Sequence, residues 1–493
     1  MYISLKQLIK NITLFLALFF LFGGFSSHAE ELTPVFTLST GGDGTYMKDG
    51  DYNTSYTFQA GDTISVTSKE NTPISGLYII WDSLVPEWTL HTDAEDILCG
   101  QHGFLHEYIS LNSPAADTVI NILHDNVRIS DIRVFGEGTL TEDVQIWNPP
   151  CERADILLVP SHADDEILFF GGIIPTYGVE QEAQIQVAYM SEFWSSAKIR
   201  EHEKLDGLWE AGLRNYPVCG NFKDVYSDTL EKAQEQYNFD DMTAYITEQI
   251  RRFKPQVIVT HDEKGEYGHG FHMLTSKAVT TAVEAASNET QYTDSASLYG
   301  IWDAPKTYLH LYKENMIRLD LRSPIESMGG RTALEIAADA YKKHVSQQWC
   351  WFYVSDDYEY SCAEFGLYRT LVGTDSLGND LLENLKTYKV QQQEEERLEA
   401  EQRKLEEERL ERERKEQEEQ LRLEQEKREQ EEQLRLEQEK LEQEEQLRLE
   451  QEKQEQEEQL YSFIMILLII MGILLTILII AGTGMILKRK NRK

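Results

Sequence analysis

Cysteine and positive charge are both scarce in this chain of 493 residues. Its five cysteines are too few and too scattered for a disulfide scaffold, and no Cys-x-x-Cys spacing suits a thiolate zinc site. Cys350 and Cys362 could still pair in an oxidising exterior. Lysine and arginine number 47 against 85 acidic residues, a net charge of −38. This balance argues against nucleic acid as a partner and against a strongly anionic substrate.

The first 29 residues have the three parts of a secretory signal. Lys6 and Lys10 precede the apolar run Ile12–Phe22, and Ser27-His28-Ala29 supplies the small-residue cleavage site. We therefore predict a signal peptide over residues 1–29. An uncleaved N-terminal anchor is the alternative.

Charged residues are absent from Phe463 to Leu487, a run long enough to cross a bilayer at about 1.5 Å per residue. We predict a transmembrane helix over residues 462–487. The basic residues 488–493 follow at once, and such clusters stay on the cytoplasmic side. No Leu-Pro-x-Thr-Gly sorting signal precedes the run, so the helix itself is the expected membrane anchor. Residues 30–460 should then lie outside the cell.

Residues 31–148 have the pattern of an all-β domain. The runs 63–67, 76–81 and 127–134 alternate or carry β-branched and aromatic residues, with Gly, Asn and Asp between them. This pattern predicts a β-sandwich. Lys48–Thr54 also resembles an early segment of discoidin-like, galactose-binding sandwiches, which implies a carbohydrate-facing or structural module.

Strands and helices alternate from Ala154 onwards. Buried-type strands are predicted at 156–159, 185–189 and 257–259, and helices near 198–212, 240–253 and 271–286. Such alternation predicts an α/β domain over residues 151–390, with a parallel sheet covered by helices on both faces. Ligands of these sheets collect at the carboxyl ends of the strands.

Residues 391–460 are a low-complexity stretch with 28 Glu against 14 Lys plus Arg. A 13-residue repeat places Leu421, Leu434 and Leu447 about 220° apart around a helix at 100° per residue, so they share no seam. Pairs such as Glu418–Arg422 at i,i+4 favour an isolated, solvated helix, which would serve as a stalk. A loose coiled coil and disorder remain alternatives.

Two short clusters carry the chemistry, and each follows a predicted strand. In Ser161–Glu166 (SHADDE), His162 and Asp165 are three apart and can reach one divalent ion from a tight turn. Asp164 would then face the attacking water as general base, while Glu166 tightens the turn or orients a ligand. A polar helix cap is the structural alternative for this stretch alone.

The second cluster is Tyr267–His272 (YGHGFH), in which His269 and His272 are also three apart. A lone His-x-x-His is more often a pair of ordinary surface or core histidines. The flanking Gly268 and Gly270 favour a site, because glycine lets the backbone approach a ligand closely. Joint occurrence after two strands of one sheet favours a hydrolytic metal centre with three ligands and an open position.

At these residues the chain resembles the PIG-L/LmbE-type metal-dependent de-N-acetylases. Their signature is Ala-His-Pro-Asp-Asp-Glu after the first strand, with a later His-x-x-His. Further matches to a secreted bacterial branch are Leu168–Gly172, Gly265–His269 and Lys306–Tyr312. Ala163 replaces the usual proline, which costs preorganisation of the loop but removes no ligand.

The resemblance implies a Rossmann-like parallel sheet and a metal site. By matching position, His162, Asp165 and His272 would bind Zn²⁺ or another divalent metal such as Fe²⁺. The same match makes Asp164 the general base.

The resemblance also implies that His269, with Tyr267, stabilises the oxyanion or protonates the leaving amine. Arg200 matches a position near the sugar.

These expectations combine into one function with two rivals. The leading hypothesis is a membrane-anchored extracellular de-N-acetylase acting on N-acetylglucosamine-type sugars of a glycan or glycolipid. The first rival is a surface glycan-binding protein whose metal domain is inactive or structural. The second is an amidase of the same fold that acts on another amide, such as a thiol conjugate.

Overall fold

The structure is a computed structural model that describes residues 28–490. Residues 1–27 of the predicted signal peptide and the last three residues of the basic tail lie outside this range. The chain divides into two units, residues 1–393 and residues 394–493.

The N-terminal part of the first unit consists of two antiparallel sheets. One has the strand order β1-β10-β5-β8, with β3 also paired to β10, and the other has the order β2-β4-β9-β6-β7. The strands are β1 (Glu31–Leu32), β2 (Pro34–Leu38), β3 (Tyr56–Phe58), β4 (Thr63–Ser68), β5 (Ile74–Trp81), β6 (Trp88–His91), β7 (Asp96–Cys99), β8 (His106–Ala115), β9 (Asp117–Asn121) and β10 (Val127–Phe135).

The two sheets share one hydrophobic core. Ile64 and Val66 of β4 are fully buried, while the alternating residues Thr63, Ser65 and Thr67 are half-buried, as expected when one face of a strand points inward. Trp81 of β5 in the first sheet and Trp88 of β6 in the second pack together with ring centroids 5.5 Å apart. The three strands predicted for this region fall within β4, β5 and β10.

Residues 151–390 form a seven-stranded sheet with helices. The strands are β11 (Ile156–Val159), β12 (Ile185–Glu192), β13 (Val218–Lys223), β14 (Val257–Thr260), β15 (Lys306–His310), β16 (Met316–Arg318) and β19 (Glu364–Thr370), with β17 (Pro324–Ile325) and β18 (Arg331–Thr332) as a separate pair. The helices are α1 (Asp165–Leu168), α2 (Ile199–Glu210), α3 (Leu230–Gln236), α4 (Phe239–Phe253), α5 (Gly270–Ala286), α6 (Thr293–Tyr299) and α7 (Ala333–Lys342).

The sheet is mixed, whereas the sequence pattern predicts a parallel one. Strands β13, β12, β11, β14 and β15 run parallel in that order, but β19 pairs antiparallel with β15 and β16 pairs antiparallel with β19. Central β11 is buried on both faces. Ile156 and Leu158 join one hydrophobic core, and Leu157 and Val159 join the other, so helices cover both sides.

The β-rich part docks on helix α2 through a buried polar cluster. His202 lies 3.0 Å from His106 of β8, nitrogen to nitrogen, and the rings are stacked. Asp206 accepts hydrogen bonds from the Tyr52 hydroxyl at 3.0 Å and the Gln145 amide at 2.6 Å. Burial raises the pKa of Asp206 to about 6.

The long helix α8 (Tyr388–Lys490) begins at the end of the first unit, and its residues from 394 onwards form the second. Its residues 395–481 are all exposed in this single chain, and the solvated stalk over residues 391–460 stays a prediction. Arg422, Arg435 and Arg448 pair with the glutamates four residues after them and not with those four before, so the predicted direction of these pairs is wrong. By length and composition, α8 contains a stretch apolar enough to cross a membrane.

All five cysteines are free thiols in this structure, and the pairing of Cys350 with Cys362 is not formed.

Candidate metal centre

The first cluster lies in the loop that joins β11 to α1. The His162 backbone N–H donates to the Asp165 carboxylate at 2.7 Å, which folds the Asp165 side chain back over the loop. The Asp164 N–H donates to Glu166 at 2.9 Å, so Glu166 ties the turn together as expected. This loop therefore presents His162 and Asp165 on the same side, at the carboxyl end of a buried strand.

The three predicted ligands converge on one point. His162 Nδ1 lies 3.1 Å from Asp165 Oδ2 and 3.1 Å from His272 Nε2, and His272 Nε2 lies 3.4 Å from Asp165 Oδ1. All three side chains are buried. Ligands about 2.1 Å from a tetrahedral ion lie about 3.4 Å from one another, so the spacing fits a zinc-sized cation.

The chemistry of this donor set also fits a cation. Although burial opposes ionisation, His272 and His162 hold the pKa of Asp165 well below its usual range. Burial likewise opposes protonation of His272, but Asp165 and Glu266 raise its pKa to about 10. A divalent cation would displace that proton from Nε2 and take its place between the carboxylate and the two imidazoles.

Glu266 accepts hydrogen bonds from three histidines, one of which is the predicted ligand His272. The sequence analysis assigns Glu266 no such role. Its Oε2 accepts from Nδ1 of both His272 and His261 at 2.8 Å, and its Oε1 accepts from His310 Nδ1 at 2.6 Å. His310 Nε2 faces the Ser361 carbonyl at 2.9 Å. Both ring nitrogens of His310 therefore face oxygen acceptors, one on Glu266 and one on the backbone.

His261 lies close to the centre but is not a ligand in this geometry. His261, Asp165 and His272 have ligand atoms within 4.8 Å of one another. The Nε2 atom of His261 accepts a hydrogen bond from the Ser161 backbone N–H at 2.9 Å, however, so its lone pair is already used. His261 instead anchors the loop that carries His162.

Asp164, the predicted base, is buried next to the ligands in a strained backbone conformation. Its φ of 110° lies in the left-handed region that residues other than glycine rarely adopt. Burial raises the pKa of Asp164 to about 7, against the opposing effect of Arg200. Arg200 Nη2 lies 3.3 Å from Asp164 Oδ1 and also donates to the Ala163 carbonyl.

One nitrogen of the Arg200 guanidinium thus contacts the predicted base, Asp164, and the loop at Ala163. The other terminal nitrogen faces Asp224. Arg200 Nη1 lies 3.2 Å from Asp224 Oδ2, while Asp224 Oδ1 lies 3.5 Å from His162 Nε2. The predicted sugar contact of Arg200 stays a prediction, since its guanidinium is 9% exposed and already paired. Asp224 is a further site residue that the sequence analysis misses.

His269 and Tyr267 both reach the same site. His269 is buried, and its Nδ1 has no hydrogen-bond partner among the described residues. Burial and the neighbouring His272 and His162 lower the pKa of His269, which favours a neutral ring. Burial raises the pKa of Tyr267, which keeps its phenol protonated. Both side chains are thus suited to donate hydrogen bonds, and His269 is poorly suited to act as an acid.

Gly270 begins α5, and its small size serves helix packing. A Cβ at this position would collide with the Thr229 carbonyl oxygen, and the Gly270 N–H donates to the Ser227 carbonyl at 2.8 Å. The close approach is therefore to backbone before α3, whereas the sequence analysis expects it to be to a ligand. It fixes the start of the helix that carries His272.

The ligand cluster opens into a cavity with a volume of about 410 Å³. This size falls within the range of small-molecule sites. Four of the lining residues lie in the segment 347–352, for which the sequence pattern predicts no site residue. The lining side chains are His162, Asp164, Asp165, Leu168, Phe169, Arg200, Asp224, Tyr226, Tyr267, His269, Gln347, Trp349, Cys350 and Phe352.

Known proteins resemble part of this chain. A 1D-myo-inositol 2-acetamido-2-deoxy-alpha-D-glucopyranoside deacetylase of Rhodococcus jostii is 30% identical over 179 residues, which are 31% of this chain and 60% of that protein. The chain spans about 60% of the length of the curated relatives it matches.

Two solved structures each resemble part of the chain. The N,N'-diacetylchitobiose deacetylase of Pyrococcus horikoshii is 16% identical, with a TM-score of 0.31, over 39% of this chain and 71% of that one. The family 32 carbohydrate-binding module of AlyQ, solved with 4,5-unsaturated mannuronic acid, is 17% identical, with a TM-score of 0.19, over 22% and 98%.

Residues 157–283 match the family model described as PIG-L, GlcNAc-PI de-N-acetylase. This match covers both clusters, from the strand before His162 to the helix that carries His272. The chain thus contains a domain of the PIG-L (LmbE-like) de-N-acetylase family.

Proposed function

We propose that this protein is a metal-dependent de-N-acetylase that hydrolyses the acetamide of N-acetylglucosamine-type sugars in a cell-surface glycan. The observation that carries the proposal is the convergence of His162, Asp165 and His272, whose nearest nitrogen and oxygen atoms lie 3.1–3.4 Å apart, beside the buried carboxyl of Asp164. The named activities of the family and of the relatives in the matched region support the same chemistry.

His162, Asp165 and His272 would hold the metal. Two imidazoles and a carboxylate suit Zn²⁺, and the same set also serves Fe²⁺. When bound, such a cation polarises the acetamide carbonyl and makes water a better nucleophile at neutral pH. Glu266 keeps the Nδ1 proton of His272 in place and so leaves its Nε2 lone pair aimed at the ion.

Asp164 is the proposed general base. Its carboxyl lines the cavity beside Asp165 and would take a proton from the attacking water. Arg200, which donates to the Ala163 carbonyl and faces Asp164 Oδ1, holds this carboxyl in position. The same carboxyl, once protonated, can return the proton to the departing nitrogen.

His269 and Tyr267 are the proposed partners of the negative charge that develops on the carbonyl oxygen. Both line the cavity, and both have the protonation state of a neutral donor. Donors aimed at such an oxygen are commonly worth about 10²–10³ in rate.

The proposed cellular location of the protein rests on the apolar stretch of α8. We propose that the apolar stretch of α8 is a single membrane span, with the basic end cytoplasmic and the catalytic part outside. The exposed part of the helix before that stretch would act as a stalk.

The test compares full-length wild type with Asp164→Asn and with the surface control Asp294→Asn. We measure the bound metal and the acetate released from N-acetylated chitooligosaccharides. Asp164→Asn should keep its metal and lose about 10²–10⁴ in turnover, while the control matches wild type. Wild-type turnover in Asp164→Asn would refute the role of Asp164. Metal binding by wild type without acetate release from any glycan would favour the glycan-binding alternative.

A further inference from the structure

Exposed aromatic side chains surround the mouth of the metal cavity. Tyr226 and Trp349 both line it, and they are 69% and 82% exposed. Trp351 is 62% exposed and packs on Phe352, another lining residue, at 4.1 Å between ring centroids. We call Tyr226, Trp349 and Trp351 the aromatic rim.

The aromatic rim is continuous with the proposed reaction centre. Phe352 contacts the Tyr267 ring at 4.4 Å, and Tyr226 meets His269 edge-on at 5.2 Å. The rim thus reaches the two proposed hydrogen-bond donors, His269 directly through Tyr226 and Tyr267 through Trp351 and Phe352. Large aromatic side chains that are exposed beside a cavity indicate a binding site, because aromatic residues that serve only to pack the core are buried.

The charges in the cavity restrict what can bind there. Among the described lining residues Arg200 is the one lysine or arginine, and it is already paired with Asp164 and Asp224. No cation among them is left to neutralise a phosphate or carboxylate of a ligand. Asp224, which lines the cavity and is not a ligand of the proposed metal, would repel such a group but would favour the amine that deacetylation produces.

We propose, on the basis of the proposed function, that the aromatic rim binds the sugars flanking the one that loses its acetyl group. The substrate is then an uncharged oligosaccharide or polysaccharide, and neither a free monosaccharide nor a phosphoglycolipid. Pyranose rings present a face of C–H groups that stacks on indole and phenol rings, while their hydroxyls remain available to Gln347 and Asp224 at the cavity wall.

The first experiment measures kcat/KM of the full-length chain on N-acetylglucosamine, chitobiose, chitotetraose and chitohexaose, and on N-acetylglucosaminyl-phosphatidylinositol. We expect kcat/KM to rise with glycan length and to be lowest on the phosphoglycolipid. Trp349→Ala and Trp351→Ala should each lower the value for chitohexaose about two- to tenfold, the range for one aromatic contact, and affect chitobiose less. Tyr46→Ala removes an exposed aromatic of the β-rich part and should change nothing.

Two results would overturn the proposal. One is a wild-type kcat/KM that does not depend on glycan length or that favours the phosphoglycolipid. The other is a Trp349→Ala variant that lowers the rates on short and long glycans equally.

A binding experiment separates this proposal from the proposed function. Chitohexaose is titrated into Asp164→Asn, with and without Trp349→Ala, and tryptophan fluorescence is recorded. Binding that weakens with Trp349→Ala supports the rim even if wild type releases no acetate, an outcome that would refute the deacetylase alone. Acetate release with binding unaffected by Trp349→Ala would refute the rim alone.

Discussion

Replacing Glu266 with glutamine tests the idea that one buried carboxylate sets the state of three histidines. Oε2 accepts from His261 and His272, while Oε1 accepts from His310 and the Asp262 N–H. In Glu266→Gln an NH₂ group replaces one of these oxygens, and either choice makes it face two N–H donors. The substitution keeps the shape, so its effect reports on charge and hydrogen bonding.

The geometry limits how the site can adjust. His261 cannot move its proton to Nε2, because that atom accepts from the Ser161 N–H. His272 can do so, but the Nε2 lone pair aimed at the metal is then lost. His310, whose Nε2 faces the Ser361 carbonyl, would lose the carboxylate charge beside its Nδ1. Two charge-assisted hydrogen bonds at about 1.5–3 kcal/mol each give a loss of about 3–6 kcal/mol in folding free energy without metal.

The expected loss in metal affinity is about 10–100-fold, the usual effect of removing a carboxylate that orients a metal-binding histidine. The assay is competition with a chelator of known affinity, with thermal unfolding as the stability readout. Glu263→Gln, three residues earlier and exposed, is the matched control. A Glu266→Gln protein that binds metal within twofold of wild type and melts at the same temperature would refute this reasoning.

Three further predictions concern strain, metal linkage and pH. Asp164→Gly should melt higher than Asp164→Ala, because glycine relieves about 1–3 kcal/mol of strain at a φ of 110°; equal melting temperatures would contradict this. Metal at 100 times its Kd stabilises the folded protein by about 2.7 kcal/mol, so removing it with a chelator should lower the melting temperature of wild type. The melting temperature of His272→Ala should not change. The raised pKa of Asp206, about 6 against an ordinary 3.8, means that its contribution to stability is full below about pH 4 and is lost as the pH rises through 6. Asp206→Asn should therefore gain melting temperature relative to wild type between pH 4 and 7, and a constant difference would count against it.

The sequence predicts the parts of the site that are close together in the chain. His162 and Asp165 lie in one turn, and His269 and His272 lie at one helix start, so spacing alone brings each pair together. The buried runs before them also predict β11 and β14 correctly.

Residues that only the strand order brings close to the site are not predicted by spacing along the chain. His261 directly follows β14 and His310 ends β15, and these neighbouring parallel strands place both rings on Glu266. Asp224 follows β13 in the same way. A search for polar residues after every predicted strand would have found His261, whereas Asp224 and His310 lie at the ends of β13 and β15, which the sequence pattern does not predict. The antiparallel edge formed by β19 and β16 has no such signal, because its pairing depends on long connections.

Helix α2 has two partners, which bears on how this protein can be recombined. Arg200 at its start holds the loop of the proposed base, and His202 and Asp206 further along face the β-rich part. Deleting the β-rich part would leave those two side chains in water and remove the support behind Arg200. The β-rich and α/β parts therefore do not behave as interchangeable modules. A chimaera that exchanges one of them must also carry the matching face of α2.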